Sequence, residues 1–109
     1  LTSTAQAAGV TNDHSYIPTN PIIHISPPTG PFNTHVHVYG CGFSANDATV
    51  KVKVAGILVW TGPMNNGCFK VAFTMPHDPN TNCGPAIVKA KGFPVLDSAT
   101  TNFIYVNPC

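Results

Sequence analysis

Arginine and glutamate do not occur in this 109-residue sequence, and charged residues make up only 8% of it. An average soluble protein carries about 25%. Five lysines stand against four aspartates, a formal net charge of +1. That balance supplies no overall field to draw in nucleic acid or an anionic membrane. It also lacks the high net charge that keeps a chain disordered. Without glutamate, and with the aspartates in turn-like contexts, no paired acid and base stands out. GxSxG elbows, HExxH, phosphate-cradling glycine loops and EF-hands are absent, and His77-Asp78 are loop neighbours that seldom face one another. No apolar run approaches the roughly 18 residues that span a bilayer. The expectation is a non-enzymatic chain with no cofactor, no nucleic-acid partner and no membrane span.

Good helix formers are also scarce, whereas Val, Ile, Thr, Phe and Tyr are plentiful, and 11 prolines and 9 glycines punctuate them. Side chains branched at Cβ and aromatic rings suit a pleated surface, so an all-β reading wins. Four cysteines stand at 41, 68, 83 and 109, none in a CxxC pair or at zinc-finger spacing from a histidine. Isolated cysteines in even number, in a strand-rich chain, read as two disulfides and an oxidising compartment. The chain begins at Leu1 with no charged-then-apolar leader, which fits a mature secreted product, extracellular or on the cell surface.

Residues 1–20 are small and polar, with isolated Leu1, Val10, Tyr16 and Ile17. Such a segment buries too little apolar area to fold alone; it reads as an extended N-terminal arm before a single domain over 21–109. From Pro21 onward, short apolar runs alternate with Pro, Gly, Asn and Asp clusters. Strands are expected at about 21–26, 34–40, 48–54, 57–61, 68–75, 86–91 and 99–106. The run ATVKVKV shows the period of two most plainly: Val50, Val52 and Val54 face in, Lys51 and Lys53 face out. Phe69, Val71, Phe73 and Met75 form a second inward set, and Val88 and Ala90 a third, with Lys89 and Lys91 outward. Phe103 and Tyr105 are taken as the core residues of the last strand, although Ile104 and Val106 compete for that parity. Residues 27–31 read as a turn, and Asn65-Asn66-Gly67 as a tight hairpin. Seven short strands at this spacing indicate an antiparallel β-sandwich.

The stretch from Ile25 to Phe43, I-S-P-P-T-G-P-F-N-T-H-V-H-V-Y-G-C-G-F, resembles the opening of bacterial and archaeal immunoglobulin-like repeats of the IPT/TIG kind. GCFKVAFTMP and GPAIVKAKG are similar to later strands of the same repeats. The resemblance spans Pro21 to the end and implies an immunoglobulin-like fold; such domains serve as spacers, adhesins and fibre subunits. A weaker similarity joins the chain to the enediyne-carrying apo-chromoproteins, from whose short-loop cysteine pairing this spacing departs. In the immunoglobulin-like topology the end of the second strand lies beside the start of the fifth, and the sixth and seventh strands are neighbours. That implies Cys41–Cys68 and Cys83–Cys109, the alternative being a bond from Cys109 to a neighbouring subunit. Gly40 and Gly42 are expected to supply backbone angles closed to other residues, and Phe43 to plug the end of the sandwich.

Three groups of side chains are candidates for function. His24, His35 and His37 share the outward parity of adjacent strands and are candidate metal ligands, or neutral decoration of a charge-poor face. Lys51, Lys53, Lys89 and Lys91 share the outer face of one sheet and suit an anionic partner such as an acidic polysaccharide, or keep that face soluble. The arm, anchored by Leu1, Val10, Tyr16 and Ile17, can add itself as a strand to a neighbouring copy. Trp60 reads as core in preference to a sugar-stacking plate. The leading functional expectation is a secreted structural subunit that polymerises with copies of itself through the arm, as an extracellular filament or surface layer. The alternative is a module for adhesion or for binding carbohydrate or another small ligand.

Overall fold

The computed structural model describes residues 19–77 and 83–106. Eight strands and no helix occur among them: β1 Ile22–Ser26, β2 Thr29–Gly30, β3 His35–Cys41, β4 Thr49–Val54, β5 Ile57–Pro63, β6 Phe69–Thr74, β7 Gly84–Phe93 and β8 Ser98–Tyr105. They form two sheets, β1-β3-β6 and β2-β8-β7-β4-β5. All pairings are antiparallel except β2 with β8.

The alternation in the sequence is the alternation in burial. Val36 and Val38 from the smaller sheet face Val50, Val52, Val88, Ala90 and Phe103 from the larger, all of them wholly buried. Phe103 and Tyr105 settle the parity of the last strand in favour of those two, leaving Ile104 and Val106 exposed. Phe43 is buried with its ring 5.8 Å from that of Phe69, as expected of a plug. Trp60, half-buried, stacks on the same Phe69 at 6.4 Å and packs against the core.

Several local readings need correction. The presumed turn at 27–31 contains β2, which moves the chain from the smaller sheet to the larger within a few residues of β1. Strand β7 begins at Gly84 and continues to Phe93, two residues longer at each end than the expected 86–91. Gly42 has the expected positive φ of 87°, but Gly40 does not. Gly40 is required for space, because a Cβ there would stand 2.6 Å from Ile23 and 2.9 Å from Phe69. Asn66 and Gly67 both have positive φ, and Asn65 and Cys68 exchange two backbone hydrogen bonds of 2.8 and 2.9 Å, so the tight turn is there. Its arms part after that single bridge, β5 entering one sheet and β6 the other.

Cys41 and Cys68 are bonded, with Cα atoms 4.1 Å apart. The register explains it: Gly40 pairs with Phe69, which brings the residues one step further on side by side. The bond lies within one sheet, on its outer side, and plays no part in the core. Cys83 is also disulfide-bonded, while its expected partner Cys109 lies outside the described residues. Closing a loop of 27 residues restricts the unfolded chain by roughly 3–4 kcal/mol. Replacing Cys41 and Cys68 together by serine should therefore lower the unfolding free energy by about that amount in urea titrations. The strand signal in circular dichroism should persist; its disappearance would show that the valine core does not suffice.

Candidate functional site

Three surfaces and one buried pair carry polar chemistry. On the larger sheet, the register sets Lys51 directly opposite Lys91, and Lys53 directly opposite Lys89. Like charges facing one another across a ladder are destabilising. Among the described residues none of the four is paired with a carboxylate: Asp47 and Asp97 are committed elsewhere. The lysines rim a hollow of about 620 Å³ whose other walls include Leu58 and Phe93. The ammonium groups of Lys51 and Lys91 lie 5.2 and 5.9 Å from the centre of the Phe93 ring, within cation–π range.

The outer face of the smaller sheet carries the histidines. His24 stands opposite Tyr39, with ring centres 6.0 Å apart, and His37 stands opposite Ser26 and Ala72. His35 and His37 meet edge to face at 5.3 Å. The three share a face as expected but do not converge, because the pairing places Tyr39, not a second histidine, across from His24. No group of three or more His, Cys, Asp or Glu side chains among the described residues can hold a metal ion. Tyr39, half exposed, rises between two shallow hollows and shares the lining of both with Cys41.

The third surface is an edge. Strand β8 is eight residues long, but β2 pairs only with its Ile104 and Tyr105. The outer side of Ser98–Phe103 has no strand partner among the described residues. Other edges carry devices that blunt them: β1 is five residues between Pro21 and Pro27, β6 bears Lys70, and β5 has a register shift followed by Gly62-Pro63. The free part of β8, with the sequence S-A-T-T-N-F, has no lysine, proline or bulge. It is the unprotected edge of the described sandwich.

The arm residues Leu1, Val10, Tyr16 and Ile17 lie outside the described residues. The chain enters view at Thr19, whose hydroxyl hydrogen-bonds Asp97, the residue just before β8.

Asp97 belongs to a pair that the sequence conceals. Asp47 reads as one more polar residue of the turn after Gly42-Phe43, yet it is only 3% exposed. The Val95 amide donates to Asp47 Oδ1 at 3.0 Å, and the Ser44 amide donates to Asp97 Oδ2 at 2.9 Å. The remaining atoms, Asp47 Oδ2 and Asp97 Oδ1, are buried with no other partner and flank Gly92, where a Cβ would collide with both. Burial, together with the hydrogen bond to Asp97, pushes the Asp47 pKa up to about 6. Burial acts on Asp97 in the same sense, but hydrogen bonds from Asp47, from the Ser44 and Asp97 amides and from Thr19 outweigh it and hold its pKa below the ordinary value. One proton shared by the two carboxyls satisfies both. Only the topology, which sets the start of β4 against the turn before β8, makes them neighbours.

The pair has a pH signature. The raised pKa of Asp47 contributes stability that is full below its unfolded value of 3.8 and is lost as pH rises through about 6. The lowered pKa of Asp97 contributes in the opposite sense, lost as pH falls through the acid range. The contribution of the pair should therefore peak near pH 4, decline by on the order of 1–3 kcal/mol between about pH 4 and pH 6, and level off above that. Asp47→Asn, which keeps a donor toward Asp97 but cannot ionise, should abolish that decline in thermal unfolding followed from about pH 4 to pH 7.

No family model matches the sequence, and no curated protein matches it. Solved structures do. One is a polysaccharide lyase, superimposing with a TM-score of 0.60 at 10% identity over 84% of this chain. A CARDB domain from Pyrococcus furiosus, solved with di-metal ions, gives 0.47 at 20% identity, covering 81% of this chain and 94% of that one. An FMN-binding β-glucuronidase gives 0.44 at 23% identity over 87% of this chain. The chain spans 12% of the lyase and 14% of the glucuronidase. At 10% identity the likeness to the lyase is one of fold alone, that of a two-sheet β-sandwich.

Proposed function

We propose that this chain is a secreted, non-enzymatic structural subunit that polymerises by strand addition. The N-terminal arm of one copy docks along the free edge of β8 in the next. The observation that carries the reading is that edge: six consecutive residues, Ser98–Phe103, whose outer side meets no strand among the described residues and which bear none of the devices that prevent pairing. An added strand gains main-chain hydrogen bonds from such an edge, and its alternate side chains find pockets. The arm has suitable chemistry, since Ala5, Ala7 and Ala8 fit a shallow groove and Leu1, Val10, Tyr16 and Ile17 are spaced anchors. The Cys41–Cys68 bond supports an oxidising, extracellular setting.

Deleting residues 1–18 should leave a folded monomer where the full chain forms higher-mass species in analytical ultracentrifugation. Thr101→Lys, which turns a charge toward the inner side of the β8 edge, should weaken assembly in the full chain. Unchanged assembly after the deletion would overturn the reading.

A further inference from the structure

The lysine block lies on a face, not an edge, and what it does is independent of assembly. Lys51, Lys53, Lys89 and Lys91 form a two-by-two grid on β4 and β7. Strand geometry sets neighbouring positions about 5 Å apart across the ladder and about 7 Å apart along it. Four of the chain's five lysines are thus gathered on one surface where each faces another, an arrangement that costs stability and has no neutralising carboxylate among the described residues. Lysines scattered for solubility would avoid that opposition.

The surroundings narrow the ligand. The register extends one row of the grid into hydroxyls on both sides, Thr61 beside Lys51 and Ser98 beside Lys91. In the second row Thr100 stands beside Lys89 and Leu58 beside Lys53. The four cations and an apolar wall of Phe93 and Leu58 line one hollow of about 620 Å³, a volume suited to a few sugar rings, and the hydroxyl residues flank the grid on the neighbouring strands. Nucleic acid fits less well. Its dense phosphates favour the bidentate fork of arginine, which this chain lacks, and its bases favour exposed aromatic platforms.

We propose that the outer face of β4 and β7 binds an acidic polysaccharide, its carboxylate or sulfate groups held by Lys51, Lys53, Lys89 and Lys91 and a pyranose face resting on Phe93 and Leu58. Calorimetric titration of the full chain with oligogalacturonate, with dextran sulfate and with neutral dextran tests this, and the first two separate carboxylate from sulfate recognition. Saturable binding is expected to at least one of the acidic polymers and not to dextran. K51Q/K91Q should weaken it at least about tenfold while unfolding no earlier than the parent on heating, since it removes a like-charge pair. K53Q/K89Q, on the other row, should act in the same direction. Equal binding of dextran, binding undiminished in both folded variants, or binding only to single-stranded DNA or to phosphatidylserine vesicles would overturn the proposal. Neither variant should alter the mass of the assembled species, so failure here leaves the role of the β8 edge standing.

Discussion

Everything in this molecule depends on two apolar faces closing on each other, each built from alternate residues of its strands. Val36 and Val38 on one side, and Val50, Val52, Val54, Val88 and Phe103 on the other, are sealed from water. Because the side-chain period of a strand is two, a slip of one residue in β4 would bury Lys51 and Lys53 and expose three valines. The register is therefore fixed by the cost of being wrong. Local chemistry reinforces it: the two-residue turn at Ala55-Gly56, both with positive φ, returns β4 into β5 with Val54 opposite Ile57.

What remains outside the core is sorted by the same parity. The larger sheet shows solvent its lysines, the smaller sheet its histidines, Tyr39 and a surface disulfide. Neither set can turn inward without turning the valines of its own strands out. Chemistry and fold are coupled at the end of the sandwich, where Asp47 and Asp97 tie the loop before β4 to the turn before β8. There the polar groups are buried and structural, and the free stretch of β8 begins one residue beyond them.

Much of this was legible in the sequence because alternation is a local signal. The strand runs, the inward valines, the outward lysines and the neighbourhood of Cys41 and Cys68 all follow from parity and the order of strands in an immunoglobulin-like stack. What escaped is non-local or too short to carry a period. Two residues of β2 cannot alternate, so Thr29-Gly30 reads as turn, and with it the exposed half of β8 goes unnoticed. Asp47 looks solvated because aspartate in a turn usually is; its burial depends on Asp97, fifty residues away in the chain. Gly40 reads as a residue needing unusual backbone angles, when its role is to admit Ile23 and the ring of Phe69. The histidines share a face, as parity requires, but parity does not fix which residue stands across the ladder.

Amide hydrogen exchange on the intact chain addresses the two-sheet core most directly. Strands β3, β4 and β7 are each paired on both sides. Their amides, with those of Val36, Val38, Val50, Val52, Val88 and Ala90 foremost, should be the slowest to exchange and should do so together, as a unit that opens only on global unfolding. Exchange at these sites as fast as in the Pro94–Asp97 turn would mean that the interlocked valines do not hold the sheets together.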